Sequence, residues 1–207
     1  MQSKSEIAQA EAALIVEEGL SFAEAKFKAA QGNRRMPHPN NEEVEAAIWE
    51  YNAIFKSQTQ NEELRKLREL ALSWMERLEP FRPLIRGGVW YGWAGKMNAI
   101  ELELYCDEQK LLEFFLINMG VEFDVFPVKS ANFRPQRSSQ IHELVWWDSI
   151  ASWTHRVPIH AIAYENEGFK GSLLEDKQGR TPRGTKQALV AKMLLSKKGE
   201  SDDRIQK

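Results

Sequence analysis

The hydrophobic period of this chain changes at Pro80 and Pro83, and that change confines what it can fold into. Before the prolines, apolar residues recur at the three- and four-residue spacing of a helix face; beyond them they alternate, as on a strand with one face buried. From Glu6 to Glu18 the stripe is Ile7, Ala10, Leu14 and Ile15, and Gly19 supplies a left-handed stop. Ser21-Phe22-Ala23-Glu24 has the form of a capping box opening a second short helix that ends near Gly32. Pro37 and Pro39 cannot continue a helix, so residues 33–40 read as a linker. Asn41 is then expected to cap a third helix through Phe55, with Val44, Ile48, Tyr51 and Phe55 on one face. A fourth is expected from about Asn61 to Leu78, with Leu64, Leu67, Leu70, Ala71, Trp74 and Leu78 as its stripe.

After Pro83 the strand candidates are Leu84 to Arg86, Ala99 to Tyr105, Val121 to Phe126, Ile141 to Trp147 and Val157 to Tyr164, with a helix over Gln109 to Asn118. Asp148 to Arg156 is expected as a hairpin loop, and Thr185 to Leu195 as a last amphipathic helix. The expected class is α+β: a helical region over 1–80, a small mixed-sheet α/β domain over 81–165, and a C-terminal helix and tail over 166–207.

Composition removes several function classes. A formal charge of −2 and an acidic N-terminal region, 10 Lys/Arg against 14 Asp/Glu over residues 1–80, give no strong nucleic-acid signal. That balance also argues against reading the helices around Gly19 as a DNA-binding helix-turn-helix. A single cysteine, Cys106, excludes an internal disulfide and a cysteine-rich metal site. No apolar run reaches the ~18 residues of a membrane span, and Met1-Gln2-Ser3-Lys4 does not open a signal peptide. The expectation is a cytoplasmic protein with no membrane partner.

The stretch Gly87-Gly88 through Asn98-Ala99-Ile100-Glu101-Leu102-Glu103-Leu104 holds the chemistry-bearing pattern: a tight glycine turn, a short connection, then a strand with carboxylates on alternate positions. On such a strand 99, 101 and 103 share one face while Ile100, Leu102 and Leu104 point into a core. Taken alone, Glu101 and Glu103 are a solvated face. The stretch resembles the active-site entry of the DNA-polymerase-beta-like nucleotidyltransferase superfamily, in which a Gly-Ser turn precedes a strand reading Ser-Asp-Ile-Asp-Leu. Gly88 and Asn98 stand where the serines sit, Ala99 where the first metal-binding aspartate is expected, and Glu101 keeps the second. The third carboxylate, from a later strand, corresponds to His160 in Val157-Pro158-Ile159-His160-Ala161-Ile162. Likeness extends through Asn41 to Ile48, Leu67 to Pro83 and Leu112 to Leu116, where the chain resembles short proteobacterial nucleotidyltransferase-like proteins.

The resemblance implies Glu101, Glu103 and His160 as the catalytic set, Glu101 and Glu103 as ligands of Mg²⁺, and Gly87, Gly88 and Lys96 as contacts to ATP, with Arg86 and Arg156 as further phosphate candidates. Two of three family carboxylates are replaced, so it implies a catalytically impaired nucleotidyltransferase fold that binds a nucleotide or a protein partner. The alternative is an active Mg²⁺-dependent transferase moving AMP from ATP to a protein, RNA or small-molecule acceptor. Trp90 and Trp93 flank the turn and could stack on a base. Competing motifs fail: Gly95-Lys96 lacks the partner glycine and hydroxyl of a P-loop, and His38, His142, His155 and His160 have no zinc-ligand spacing.

Overall fold

The computed structural model describes residues 3–30, 38–127, 142–176 and 179–205. Most of the expected linker, the expected helix end near Gly32 and the first residue of the expected strand at Ile141 lie outside the described residues. The chain forms two compact units, one made of 1–67 with 92–99 and the other of 68–91 with 100–207. This division cuts across the expected spans 1–80, 81–165 and 166–207.

The first unit is helical: α1 (Lys4–Glu18), α2 (Phe22–Ala29), α3 (Asn41–Phe55) and the beginning of α4 (Gln60–Arg77). Reciprocal capping boxes open α1 at Ser3 and Glu6, α2 at Ser21 and Glu24, and α3 at Asn40 and Glu43, one residue earlier than the expected Asn41. Gly19 ends α1 at φ 71°, and a Cβ there would overlap the Met97 carbonyl, so both backbone and space require glycine. The core of α1 against α3 holds Ile7, Ala12, Ile15, Val44 and Ile48. The buried face of α3 is Val44, Ala47, Ile48 and Asn52, whereas Phe55 is exposed. The expected stripe through Tyr51 and Phe55 is thereby corrected, because the face is completed by an amide that serves residues 92–99. Asn52 Nδ2 donates to Trp93 O at 2.8 Å, and Gln60 Nε2 donates to Gly92 O at 2.9 Å and Ala94 O at 3.1 Å. Asn98 Nδ2 donates to Ile15 O at 2.8 Å while its Oδ1 accepts from Gly95 N–H at 2.9 Å. Side-chain amides thus satisfy a loop whose backbone has no ladder partner.

The second unit is built on a five-stranded sheet of order β1 (Leu84–Arg86), β2 (Ile100–Tyr105), β5 (Arg156–Tyr164), β4 (His142–Ser149) and β3 (Phe123–Pro127). β2 and β5 are parallel and the other pairs antiparallel. One face is apolar, with Ile100, Leu102, Leu104, Leu144, Trp146, Ile159 and Ala161 buried. Trp74, from the part of α4 in this unit, lies 4.9 Å from the Trp146 ring and donates its indole N–H to Asp148 Oδ2 at 2.9 Å. Leu112 and Leu116 of α6 (Gln109–Asn118) are also fully buried. As adjacent residues of one strand, Trp146 is buried and Trp147 is 38% exposed.

Short helices α5 (Gly87–Tyr91) and α7 (Phe169–Ser172) and the long α8 (Lys186–Ile205) complete the unit. Ahead of α8, Gly184 bridges to Ile85 through N–H···O bonds of 2.8 and 2.9 Å, closing the outer side of β1. Gly184 also lies against the Trp90 ring, whose indole N–H donates to Thr181 O at 2.7 Å and whose face carries Lys192 Nζ 4.0 Å from its centroid. No described helix is long and apolar enough to cross a membrane.

Candidate functional site

The second face of the sheet is polar, and strand register decides which side chains share it. Arg86, Glu101, His160 and Val145 form one row across β1, β2, β5 and β4, and Leu84, Glu103, Ile162 and Glu143 form the next. Glu101 and His160 are therefore direct neighbours on one face, as the strand reading expected. Glu143, which sequence reasoning missed, joins them diagonally: its Oε1 lies 2.8 Å from His160 Nδ1. A carboxylate only accepts, so this contact assigns the imidazole proton to Nδ1 and leaves Nε2 as the acceptor. The signal for Glu143 was its alternate position with Leu144 and Trp146, which register alone could convert into a pairing.

The carboxylates of β2 are not a solvated face, and this corrects the bland expectation for them. Glu103 is 1% exposed. Its Oε1 accepts from Arg86 Nη1 at 3.1 Å, and its Oε2 accepts from Tyr105 Oη at 2.9 Å and from Arg183 Nε. Glu101 is partly exposed, and its Oε2 accepts from Arg86 Nε at 3.0 Å. Burial pushes the Glu103 carboxyl up, but the Arg183 hydrogen bond and charge, with Tyr105 and Arg86, outweigh it and hold it below its ordinary value. Burial likewise opposes the charge on Arg86, yet the two glutamates keep its guanidinium protonated more firmly than usual. Tyr105 is pushed up to about 12, by burial first, with the Glu103 carboxylate adding and Ser172 opposing. Around this network Tyr105 stacks on Tyr164 at 5.8 Å and meets Phe169 edge-on at 5.2 Å.

Mg²⁺ asks for oxygen donors in a near-octahedral shell, usually including carboxylates free to turn toward the ion. Both Glu103 oxygens and one Glu101 oxygen here accept hydrogen bonds from arginine or tyrosine. Among the described residues no group of three or more His, Cys, Asp or Glu could hold a metal ion. The donor set as arranged does not fit a bound divalent cation, because two guanidinium groups already carry the compensating charge.

The glycine turn has a related arrangement. Gly87 has φ 66° and starts α5, and a Cβ there would overlap the Glu101 carboxylate. An acid rather than open space lies against the turn. Gly88 is buried in the same short helix. Arg86, expected as a phosphate contact, is spent on Glu101 and Glu103, and Arg156 donates to Trp147 O. Lys96 belongs to the first unit, where its backbone N–H donates to Glu63 Oε2 at 3.0 Å. Trp90 and Trp93 are both buried in their respective units rather than presented as stacking platforms. No family model, curated protein or solved structure matches the chain.

Proposed function

We propose that this chain is a nucleotidyltransferase-like module that works by binding rather than by turnover, its catalytic centre converted into an internally neutralised ion-pair network. The observation that carries this reading is the engagement of Glu103 and Glu101 by Arg86 and Arg183. In a metal-dependent transferase, carboxylates at such positions hold cations that shield a triphosphate. Here the cations are covalently part of the chain and cannot also be shared with phosphate without uncovering a buried acid. The reading supports a nucleotide or protein ligand recognised without Mg²⁺.

A second reading, residual Mg²⁺-dependent transfer of AMP from ATP to a protein, RNA or small-molecule acceptor, is favoured by one feature, the row of Glu101 beside the Glu143-oriented His160. The two readings separate in one experiment: calorimetric titration of the full chain with ATP, with and without Mg²⁺, beside an assay with labelled ATP. The binding module is expected to show no Mg²⁺-dependent gain in affinity and no label transfer. Transfer that is lost in Glu101→Gln would overturn it in favour of the enzyme.

A further inference from the structure

Unpartnered buried polar atoms gather in the first unit. Both Glu11 carboxyl oxygens, His38 Nδ1, Asn52 Oδ1 and Trp93 Nε1 have no hydrogen-bond partner, whereas the second unit contributes Trp146 Nε1. Such atoms cost about 1–3 kcal/mol each when nothing meets them, so each calls for a physical explanation. For Asn52 the surroundings supply one. It is 5% exposed, its amide N–H is committed to Trp93 O, and its other polar atom is an acceptor beside a recess of ≈ 130 Å³ that the residue itself lines.

The rest of that recess has charges of both signs. Lys56 and Lys96 supply cations and Glu17 and Glu63 supply carboxylates, while Val16 and Met97 provide apolar wall. Lys56 Nζ lies 3.0 Å from Glu17 Oε1, and Glu63 Oε2 accepts the Lys96 backbone N–H, so the polar rim is ordered by its own contacts. This combination narrows the ligand. A phosphate or dicarboxylate would face Glu17 and Glu63. A divalent cation would lack a donor cluster, since no such group exists among the described residues. A purely apolar molecule would leave Asn52 Oδ1 unmet. A cavity of about 150 Å³ holds benzene, so the recess suits roughly six heavy atoms.

We infer that this recess is a binding site for a small zwitterion of α-amino-acid chemistry. Its ammonium group is met by Asn52 Oδ1 and the Glu63 carboxylate, its carboxylate by the lysine ammonium groups, and its short side chain by Val16 and Met97. The site lies wholly in the first unit, and its argument is independent of the ion-pair network on the sheet.

The test is calorimetric titration of the full chain with glycine, L-alanine and L-serine, and with the N-acetyl and carboxamide forms of each. A free amino acid should bind at least about tenfold more tightly than either blocked form, about 1.4 kcal/mol. Glu63→Gln keeps the acceptor for the Lys96 N–H while removing the charge, and Lys56→Met keeps the apolar stem. Each should weaken binding at least about tenfold while leaving the ligand-free thermal transition in place, which separates loss of the site from loss of the fold. The assignment is overturned if none of the three amino acids binds, if a blocked form binds as well as its parent, or if both variants bind as the wild type does.

Discussion

A carboxylate with 1% exposure needs cations or protons, and Glu103 has two guanidinium groups and a phenol. Its replacement therefore does more than remove one acid. Glu103→Gln keeps the shape but leaves Arg86 and Arg183 facing a neutral amide, with an N–H pointing toward donors. Breaking a buried pair by removing one partner costs about 3–5 kcal/mol, and the partial exposure of both arginines brings the expected loss down to about 2–3 kcal/mol. Urea unfolding of the variant checks this, and a loss within ~0.5 kcal/mol would return Glu103 to the ordinary surface class. The sequence placed Glu103 on the face of Glu101 through alternation, but could not reveal its burial. Arg183, one of the groups that neutralises it, arrives from a distant part of the chain, and pairings of that range leave no local period.

Among elements, those with local causes were legible. The box at Ser21 and Glu24 and the left-handed stop at Gly19 were read correctly because capping is decided within one turn. Leu84–Arg86 and Gln109–Asn118 occur with the expected bounds. What escaped was the element that closes β1. Residues before α8 show no strand alternation, yet Gly184 makes a two-bond bridge to Ile85 because it lacks a side chain where the Trp90 ring lies. That close approach predicts that Gly184→Ala destabilises the chain by about 1–3 kcal/mol, the usual cost of overpacking a fitted contact. It should also speed exchange of the Ile85 and Gly184 amide protons more than those of β4 and β5. Equal change across the sheet would show that the bridge is not a separate closing contact.

For the molecule as a whole, the sheet face and the helical core carry buried acids that titrate in opposite senses. The Glu103 carboxyl is held below its ordinary value, so its stabilisation is complete above that value and is lost as pH falls through the folded-state pKa. Glu11 is fully buried on α1 without a hydrogen-bond partner, and burial raises it above its ordinary 4.5, with Lys26 only partly offsetting. For Glu11 the folded state binds the proton more tightly than the unfolded chain, so stability is complete below 4.5 and declines as pH rises through the raised pKa. Stability should therefore fall on the acid side through Glu103 and be eroded on the neutral side through Glu11. Glu11→Gln removes the second titration with little change of shape. Its stability relative to wild type should increase from pH 4.5 upward and level off above the Glu11 pKa, with a gain of about 1–3 kcal/mol at pH 7. Urea midpoints measured from pH 4 to 8 on both proteins would give that curve. A difference that does not vary with pH would mean that Glu11 ionises as freely in the fold as in the unfolded chain, and that its burial on α1 carries no charge penalty.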